Sequence, residues 1–485
     1  ALVDATNALD DYATGNSGVE PTLSTYHTAG FSDLELANVS GINEAVLVEG
    51  TNSLAGLTTI TNAYITLVNY VKDDTSSTPE VADYLNAGLT DVSASILTHL
   101  NNTLAEERRE GLTHYLKASN PHASDAYGWK TALSDDGGIM AVLAYRAPAV
   151  SNNVNDDAGA IYLYQRNGAT WQEIQILRSN NTSTHAYDMV MNKEGTRIAV
   201  VGPNYAFVYD VEMVDGMPNW QGTWTMTTVN HGVSDTSNYA AMSDDGNTLI
   251  VGGDNYSNNR GRVRIVQFEN DAWSFKQQIL GGSNYSYFGQ TLDISENGEV
   301  IVVGAYDQSD TGFVYVYRYD GTNWLSEQTF RNANYATDDF FGYGVSINAQ
   351  GTRIAVGARS EDGQTNNISN QGAAFIFDHD GSSWSQTQVL RASDAASNRY
   401  YGRRITLASD GLSVVVSGDN TEAVYGYDIS SADVTVWQAS EIKLASPSSR
   451  TDEFGSSGMA FNGLDIVIGA YLDDYNFNGI IVDSN

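Results

Sequence analysis

The sequence predicts a mainly β chain: a seven-bladed β-propeller of four-stranded blades preceded by a small all-α repeat domain. Two observations carry this. A polar-Gly turn followed by an apolar run ending in a second glycine returns seven times, with turn glycines at Gly137, Gly195, Gly246, Gly298, Gly351, Gly411 and Gly463, 51 to 60 residues apart. A repeat of that length built from short strands marks a solenoid, propeller or array. In addition, the last unit stops one strand short, and a matching strand precedes the first unit.

Each unit opens with an aromatic-Gly pair, as in Tyr127-Gly128, Phe288-Gly289, Phe341-Gly342, Tyr401-Gly402 and Phe454-Gly455. The turn glycine follows nine positions later in four of them and eight in the last, which leaves room for one short strand and a tight hairpin. Asp-Gly and Asn-Gly supply the positive φ that a two-residue hairpin turn needs. The second strand, such as Val300-Ile301-Val302-Val303, is apolar without alternation, as a strand covered on both faces should be. A polar loop leads to a third strand of alternating aromatics, such as Phe313-Val314-Tyr315-Val316-Tyr317. A further turn leads to Trp171, Trp220, Trp273, Trp324, Trp384 or Trp437 at the head of the fourth strand. Packing at the blade edge explains these tryptophans most simply; a carbohydrate platform is the sharper alternative.

After Gly479-Ile480-Ile481-Val482 no fourth strand follows. Leu112-Thr113-His114-Tyr115-Leu116-Lys117-Ala118-Ser119 resembles the ends of other fourth strands, so a strand near 110–118 is expected to complete the last blade. Such closure removes an open edge. The propeller is thus expected over 109–485. Residues 1–108 carry another repeat, offset by 58, in which the segment from Pro21 to Asp33 matches that from Pro79 to Asp91. Helical spacing of Val39, Ile42 and Val46, and of Ile96, Leu97, Leu100 and Leu104, predicts a helical domain of two such repeats.

The 485 residues carry 59 acidic and 24 basic side chains, a net charge of −35, with no Lys or Arg before Lys72. Nucleic acid and anionic membranes both require a basic footprint, so neither is an expected partner. Adaptation to salt, calcium binding and a soluble secreted surface each account for the acidity. Abundant aromatics (29 Tyr, 14 Phe, 8 Trp) argue for a packed chain. Without cysteine there is neither a disulfide framework nor a thiolate site. No stretch reaches the ~18 apolar residues that span a bilayer. Ala1-Leu2-Val3-Asp4 lacks the start of a signal peptide and reads as a mature or trimmed end.

The aromatic-Gly openings, with Gly304-Ala305, Gly357-Ala358 and Gly469-Ala470 ending second strands, resemble the FG-GAP repeat, the blade of integrin-α-type seven-bladed propellers. The likeness covers about 375 residues and is weakest in the second unit, where Tyr187-Asp188 and Gly202-Pro203 replace the signature. The N-terminal repeat resembles, more distantly, helical repeats of large bacterial surface proteins. The FG-GAP resemblance implies an extracellular or cell-surface location and adhesion or ligand binding without catalysis. The family's Asp-x-Asp-x-Asp-Gly calcium loop does not carry over, because turns such as Ser243-Asp244-Asp245-Gly246 are too short to wrap a cation.

Loops from strand two to three and from strand four to the next blade share one face, and here they are acidic. Calcium is the candidate cofactor. Asp473, Asp474, Asn476 and Asn478 are candidate ligands because alternate oxygens can converge on one ion, and Asp307 and Asp310 are a second such pair. Glu361, Asp362, Asp419, Asp338, Asp339 and Asp452 mark the expected ligand face. Asx-rich turns account for the same residues without any ligand. The seven histidines have no metal spacing, and no catalytic fingerprint stands in a suitable context. The leading expectation is a non-enzymatic binding propeller for an extracellular protein or glycan. The alternative is a subunit of a filament or surface matrix assembled from copies of itself; a polysaccharide-active enzyme ranks third.

Overall fold

The structure, a computed structural model, describes residues 114–484 apart from 121–124, 148–158, 168–169, 179–186, 235–237, 333–335, 364–367, 420–422, 430–440, 446–453, 457, 464 and 471–478. The predicted helical domain of residues 1–108 lies outside the described residues.

The described residues form a β-propeller of four-stranded antiparallel blades. Six blades are made of strands that follow one another in the chain. The first comprises Tyr127–Leu133, Ile139–Ala144, Ala160–Asn167 and Thr170–Arg178. The second comprises Asp188–Met191, Arg197–Val201, Tyr205–Val211 and Trp224–Asn230, with a two-stranded ribbon, Met213–Val214 and Met217–Pro218, between its last two strands. Asn238–Met242, Thr248–Gly253, Arg262–Glu269 and Ala272–Leu280 build the third; Leu292–Ile294, Val300–Ala305, Phe313–Tyr319 and Trp324–Phe330 build the fourth. The fifth is Phe341–Ile347, Arg353–Ala358, Ala373–His379 and Trp384–Leu390, and the sixth Arg404–Leu407, Ser413–Ser417, Ala423–Asp428 and Ile442–Ala445.

A further four-stranded sheet is composite. Its order is His114–Lys117, Gly479–Ser484, Asp465–Ala470, Met459–Phe461, with His114 opposite Val482 and Lys117 opposite Gly479. The expectation of seven blades is therefore corrected to six continuous blades plus this composite sheet, whose outermost strand, His114–Lys117, comes from before the first blade.

First strands touch one another in order from Tyr127–Leu133 to Arg404–Leu407, and Met459–Phe461 touches both of these. They surround the axis, which leaves each second strand between neighbouring sheets. Accordingly Ile139–Ala144, Thr248–Gly253 and Val300–Ala305 are buried along their whole length. The core is a set of layers between adjacent sheets. Val300, Val302, Val314 and Val316 of the fourth blade pack on Phe341, Val356 and Phe375 of the fifth; Val467 of the composite sheet packs on Met140, Val142 and Tyr162 of the first.

The first hairpin differs from the two-residue turn read from sequence. Ser243 N–H bonds to the Thr248 carbonyl at 2.9 Å, so the loop has four residues, and Gly246, at φ 70°, donates its N–H to Ser243 O at 2.8 Å. Ser243 Oγ donates to Asp245 Oδ1 at 2.6 Å and accepts Thr248 N–H at 2.9 Å. Ser134 with Asp136 and Ser295 with Asn297 repeat this clasp. The recurrent Ser-x-Asp/Asn-Gly motif is thus a turn fastener, since these side chains bond readily to nearby backbone.

These turns also join around the axis through backbone hydrogen bonds. Asp135 N–H donates to Lys193 O, Lys193 to Asp244 O, Asp244 to Glu296 O, Glu296 to Ala349 O and Ala349 to Ser409 O. Ser409 Oγ then reaches Asp135 Oδ1 at 2.8 Å. Over this ring the Lys193 ammonium lies 3.0 Å from Asp135, 3.5 Å from Glu296 and 3.7 Å from Asp244.

Trp324 and Trp384 open their fourth strands and are buried, in line with a packing role. In the second blade Trp224, not Trp220, opens the strand, because the inserted ribbon displaces the turn; Trp224 Nε1–H donates to Trp220 O at 3.2 Å. Trp437 lies outside the described residues.

Candidate ligand-binding face

At the end opposite the Ser-clasped turns, the loop between strands two and three meets the loop entering the next blade. Asn258 O and Asn259 O accept the N–H groups of Tyr285 and Tyr287, Asp310 O that of Asp338, and Ser369 O and Asn370 O those of Asn398 and Tyr400. Asn258, Asn259, Asp310 and Asn370 have positive φ, which Asn and Asp tolerate. Tyr287, Phe340 and Tyr400 also have φ between 51° and 54°. For bulky side chains that conformation costs about 1–3 kcal/mol each and concentrates at functional sites. Each of these three precedes the buried aromatic of an aromatic-Gly pair, so the two rings diverge and only the second enters the core.

The slot just past the second strand completes the arrangement. In the fourth blade it is Tyr306, stacked on Tyr287 at 5.1 Å and edge-on to Tyr343 at 5.0 Å and Phe340 at 5.7 Å. In the fifth blade it is Arg359, whose guanidinium lies 4.4 Å from the Tyr343 ring, 5.3 Å from Tyr400 and 5.7 Å from Phe340. In the sixth, Asp419 accepts Arg359 Nη1–H at 3.3 Å and pairs with Arg403. In the first, Tyr145 stacks on Trp129 at 5.0 Å. Tyr306, Phe340, Tyr343, Arg359, Tyr400 and Arg403 are all partly exposed. Burial, with neighbouring tyrosines and acids, holds the Tyr306 phenol far above its usual range, so it stays a neutral donor.

Against this geometry the predicted acids divide. Asp307, Asp310 and Asp338 do come together: burial, then Asp310 and Asp338, push the Asp307 carboxyl up. Asp339 is buried, accepts Ala336 N–H at 2.6 Å and is raised to about 6 by burial, against that hydrogen bond and with Glu361, Asp362 and Asp338 nearby. Glu361 is buried against Arg391 at 2.6 Å, and Asp362 accepts Asn370 N–H at 2.7 Å. Glu361, Asp339 and Asp419 thus serve as internal counter-charges and turn acceptors on this face. Among the described residues no three His, Cys, Asp or Glu side chains converge in a metal-holding group. Asp473, Asp474, Asn476, Asn478 and Asp452 lie outside the described residues. Sequence reasoning missed the aromatic-arginine cluster, although Tyr145, Tyr306 and Arg359 occupy one repeated slot.

With fold and cluster in view, comparison with known proteins adds one repeat-family match within the chain. Residues 324–377 match the FG-GAP repeat. The matched FG-GAP segment runs from the fourth strand of the fourth blade through the third strand of the fifth, so it contains Phe340, Tyr343 and Arg359. The chain is also similar to the β-propeller domain of Cps50 (Swd1) from Myceliophteria thermophila, at 9% identity and a TM-score of 0.49, over 77% of this chain and 100% of that one. No curated protein matches the chain.

Proposed function

We propose that this chain is a non-enzymatic, extracellular binding propeller for adhesion to a protein or glycan, closed as a seven-bladed ring by the composite sheet. The observation that carries the reading is the partly exposed cluster of Tyr306, Phe340, Tyr343, Arg359 and Tyr400 at one end of the fourth to sixth blades. Tyr, Trp and Arg supply most of the energy of protein interfaces, because they bring large contact area and directed hydrogen bonds with few rotors. The Asp419 pairings hold both arginines in place before a ligand arrives, which lowers the ordering cost of binding. Calcium, where it binds, would draw on acids of the loops at this end, such as Asp307 and Asp310.

The test is binding of the full chain to arrayed glycans and matrix proteins, with calcium and then with chelator. A ligand retained by the wild type and lost by Arg359→Ala supports the reading. Turnover of an arrayed polysaccharide would replace it with the enzyme.

A second reading, a filament or matrix subunit, draws on one observation. The outer strand of the composite sheet, His114–Lys117, comes from before the first blade and pairs with Gly479–Ser484 at the far end of the propeller sequence. A neighbouring copy can supply such a strand, because exchange uses the same backbone pairing as closure within one chain.

A further inference from the structure

The third blade departs from its neighbours in a correlated way. In four other blades an aromatic of the third strand meets the aromatic of the aromatic-Gly pair edge-on: Tyr162 with Tyr127 at 5.2 Å, Tyr315 with Phe288 at 5.4 Å, Phe375 with Phe341 at 5.5 Å and Tyr425 with Tyr401 at 5.5 Å. The third blade lacks both partners. Its sequence has Thr236-Ser237 where the aromatic-Gly pair belongs, and its third strand begins Arg262-Val263-Arg264. Arg264 takes the aromatic position, since it pairs with Val251 as Tyr315 pairs with Val303.

Val263 and Ile265 face the core shared with the fourth blade. Strand alternation therefore turns Arg262 and Arg264 toward the second blade. There Arg264 lies 4.2 Å over the ring of Phe275, which is 50% exposed, and donates from Nη1 to Gly232 O at 3.4 Å. Its Nε is buried and has no hydrogen-bond partner among the described residues. Burial and the neighbouring Arg262 both weaken its hold on the proton. Arg262 is itself buried over Tyr256 at 4.3 Å. His231, fully buried, accepts Val233 N–H at 3.1 Å and bonds to Gly202 O at 3.0 Å; burial, with Arg264 and Arg262 adding to it, lowers it to about 4, so it stays neutral. A partly buried guanidinium repelled by a neighbouring one is stabilised when an anion joins it. The planar fork of Arg suits a carboxylate or sulfate.

We propose that this notch between the second and third blades binds an oxyanion, carboxylate or sulfate, borne on a saccharide. Arg264 engages the oxyanion and the open face of Phe275 receives the sugar ring. The site uses other blades and other residues than the loop-face cluster and does not depend on it.

Calorimetric titration of the full chain with sodium sulfate, glucuronate and glucose at low salt tests the assignment. Sulfate and glucuronate are expected to bind, glucuronate more tightly, and glucose not at all. Arg264→Gln at unchanged melting temperature should weaken both anions about tenfold, the loss expected for one charge-assisted hydrogen bond. Phe275→Ser should weaken glucuronate alone. If Arg264→Gln does not fold, Arg264→Lys, which keeps the charge but not the fork, should still lose glucuronate affinity. Absence of anion binding to the wild type, or equal binding by the Arg264 variant, overturns the site. Equal affinity for sulfate and glucuronate overturns its saccharide part.

Discussion

Gly469 of the composite sheet packs so tightly on Gly128 of the first blade that a Cβ on Gly469 would run into the Gly128 carbonyl oxygen. The same approach joins Gly252 to Gly289, Gly304 to Gly342 and Gly357 to Gly402. The second glycine of each pair belongs to an aromatic-Gly opening, and the first ends the second strand of the preceding sheet. The FG and GA signatures are thus two halves of one junction between sheets, and the junction at Gly469 and Gly128 joins the last sheet to the first.

Gly304→Ala should therefore cost about 1–3 kcal/mol, the range for overpacking a filled site. Gly321, whose φ is +97° but which has nothing within 4 Å, separates steric crowding from backbone strain. Gly321→Ala should cost only the strain, about 1–2 kcal/mol. Denaturant unfolding of both variants reads the two costs; a Gly304→Ala variant as stable as the wild type would refute the junction.

Closure can be read chemically, because the chain has no cysteine. Tyr115 lies opposite Ile481 and Leu116 opposite Ile480. One of two adjacent antiparallel pairs has the closer Cα spacing that suits a disulfide. Of two variants with cysteines at 115 and 481 or at 116 and 480, the one at the better-spaced pair should oxidise within one chain and run as monomer on a non-reducing gel. A covalent dimer would instead favour exchange of the strand between copies.

Acidification should act through His231. Its folded pKa is lowered to about 4. The stability tied to its neutral form is fully present above the free value near 6.5 and is lost as pH falls through about 4. Melting temperature measured from pH 7 to pH 4 should fall less in His231→Gln than in the wild type, even though the variant is less stable at pH 7.

The axial cluster has the opposite sign. Burial, then the hydrogen bond that protonated Asp244 donates to Glu296 and the charge of Glu296, raise Asp244 to about 8, against the pull of Lys193. Its contribution is fully present below the free carboxyl value of about 4 and is lost as pH rises through about 8. Asp244→Asn, which mimics the protonated acid and can still donate to Glu296, should gain on the wild type in melting temperature between pH 6 and pH 9. A variant that loses ground across that range would show Asp244 to be ionised.

Much of the fold was legible because its period is written in glycines that have physical duties. Gly246 and Gly298 need positive φ; Gly304 and Gly357 admit a neighbouring carbonyl. Apolar runs such as Val300–Ala305 announce burial on both faces. The aromatic-arginine cluster was not legible, because Phe340, Arg359 and Asp419 meet only once three blades stand side by side. The pairing of the loop acids was hidden for the same reason: sequence shows the charge of Glu361 but not the Arg391 that neutralises it.

The most direct test of the proposed function is binding of Arg359→Ala and Tyr343→Ala to the ligand that the wild type retains on a glycan and matrix-protein array. If the loop-face cluster is the site, each variant should keep its melting temperature within a few degrees and lose affinity by about tenfold or more, the scale of an interface hot spot. Unchanged affinity in both variants would contradict the assignment and move the site away from the fourth to sixth blades.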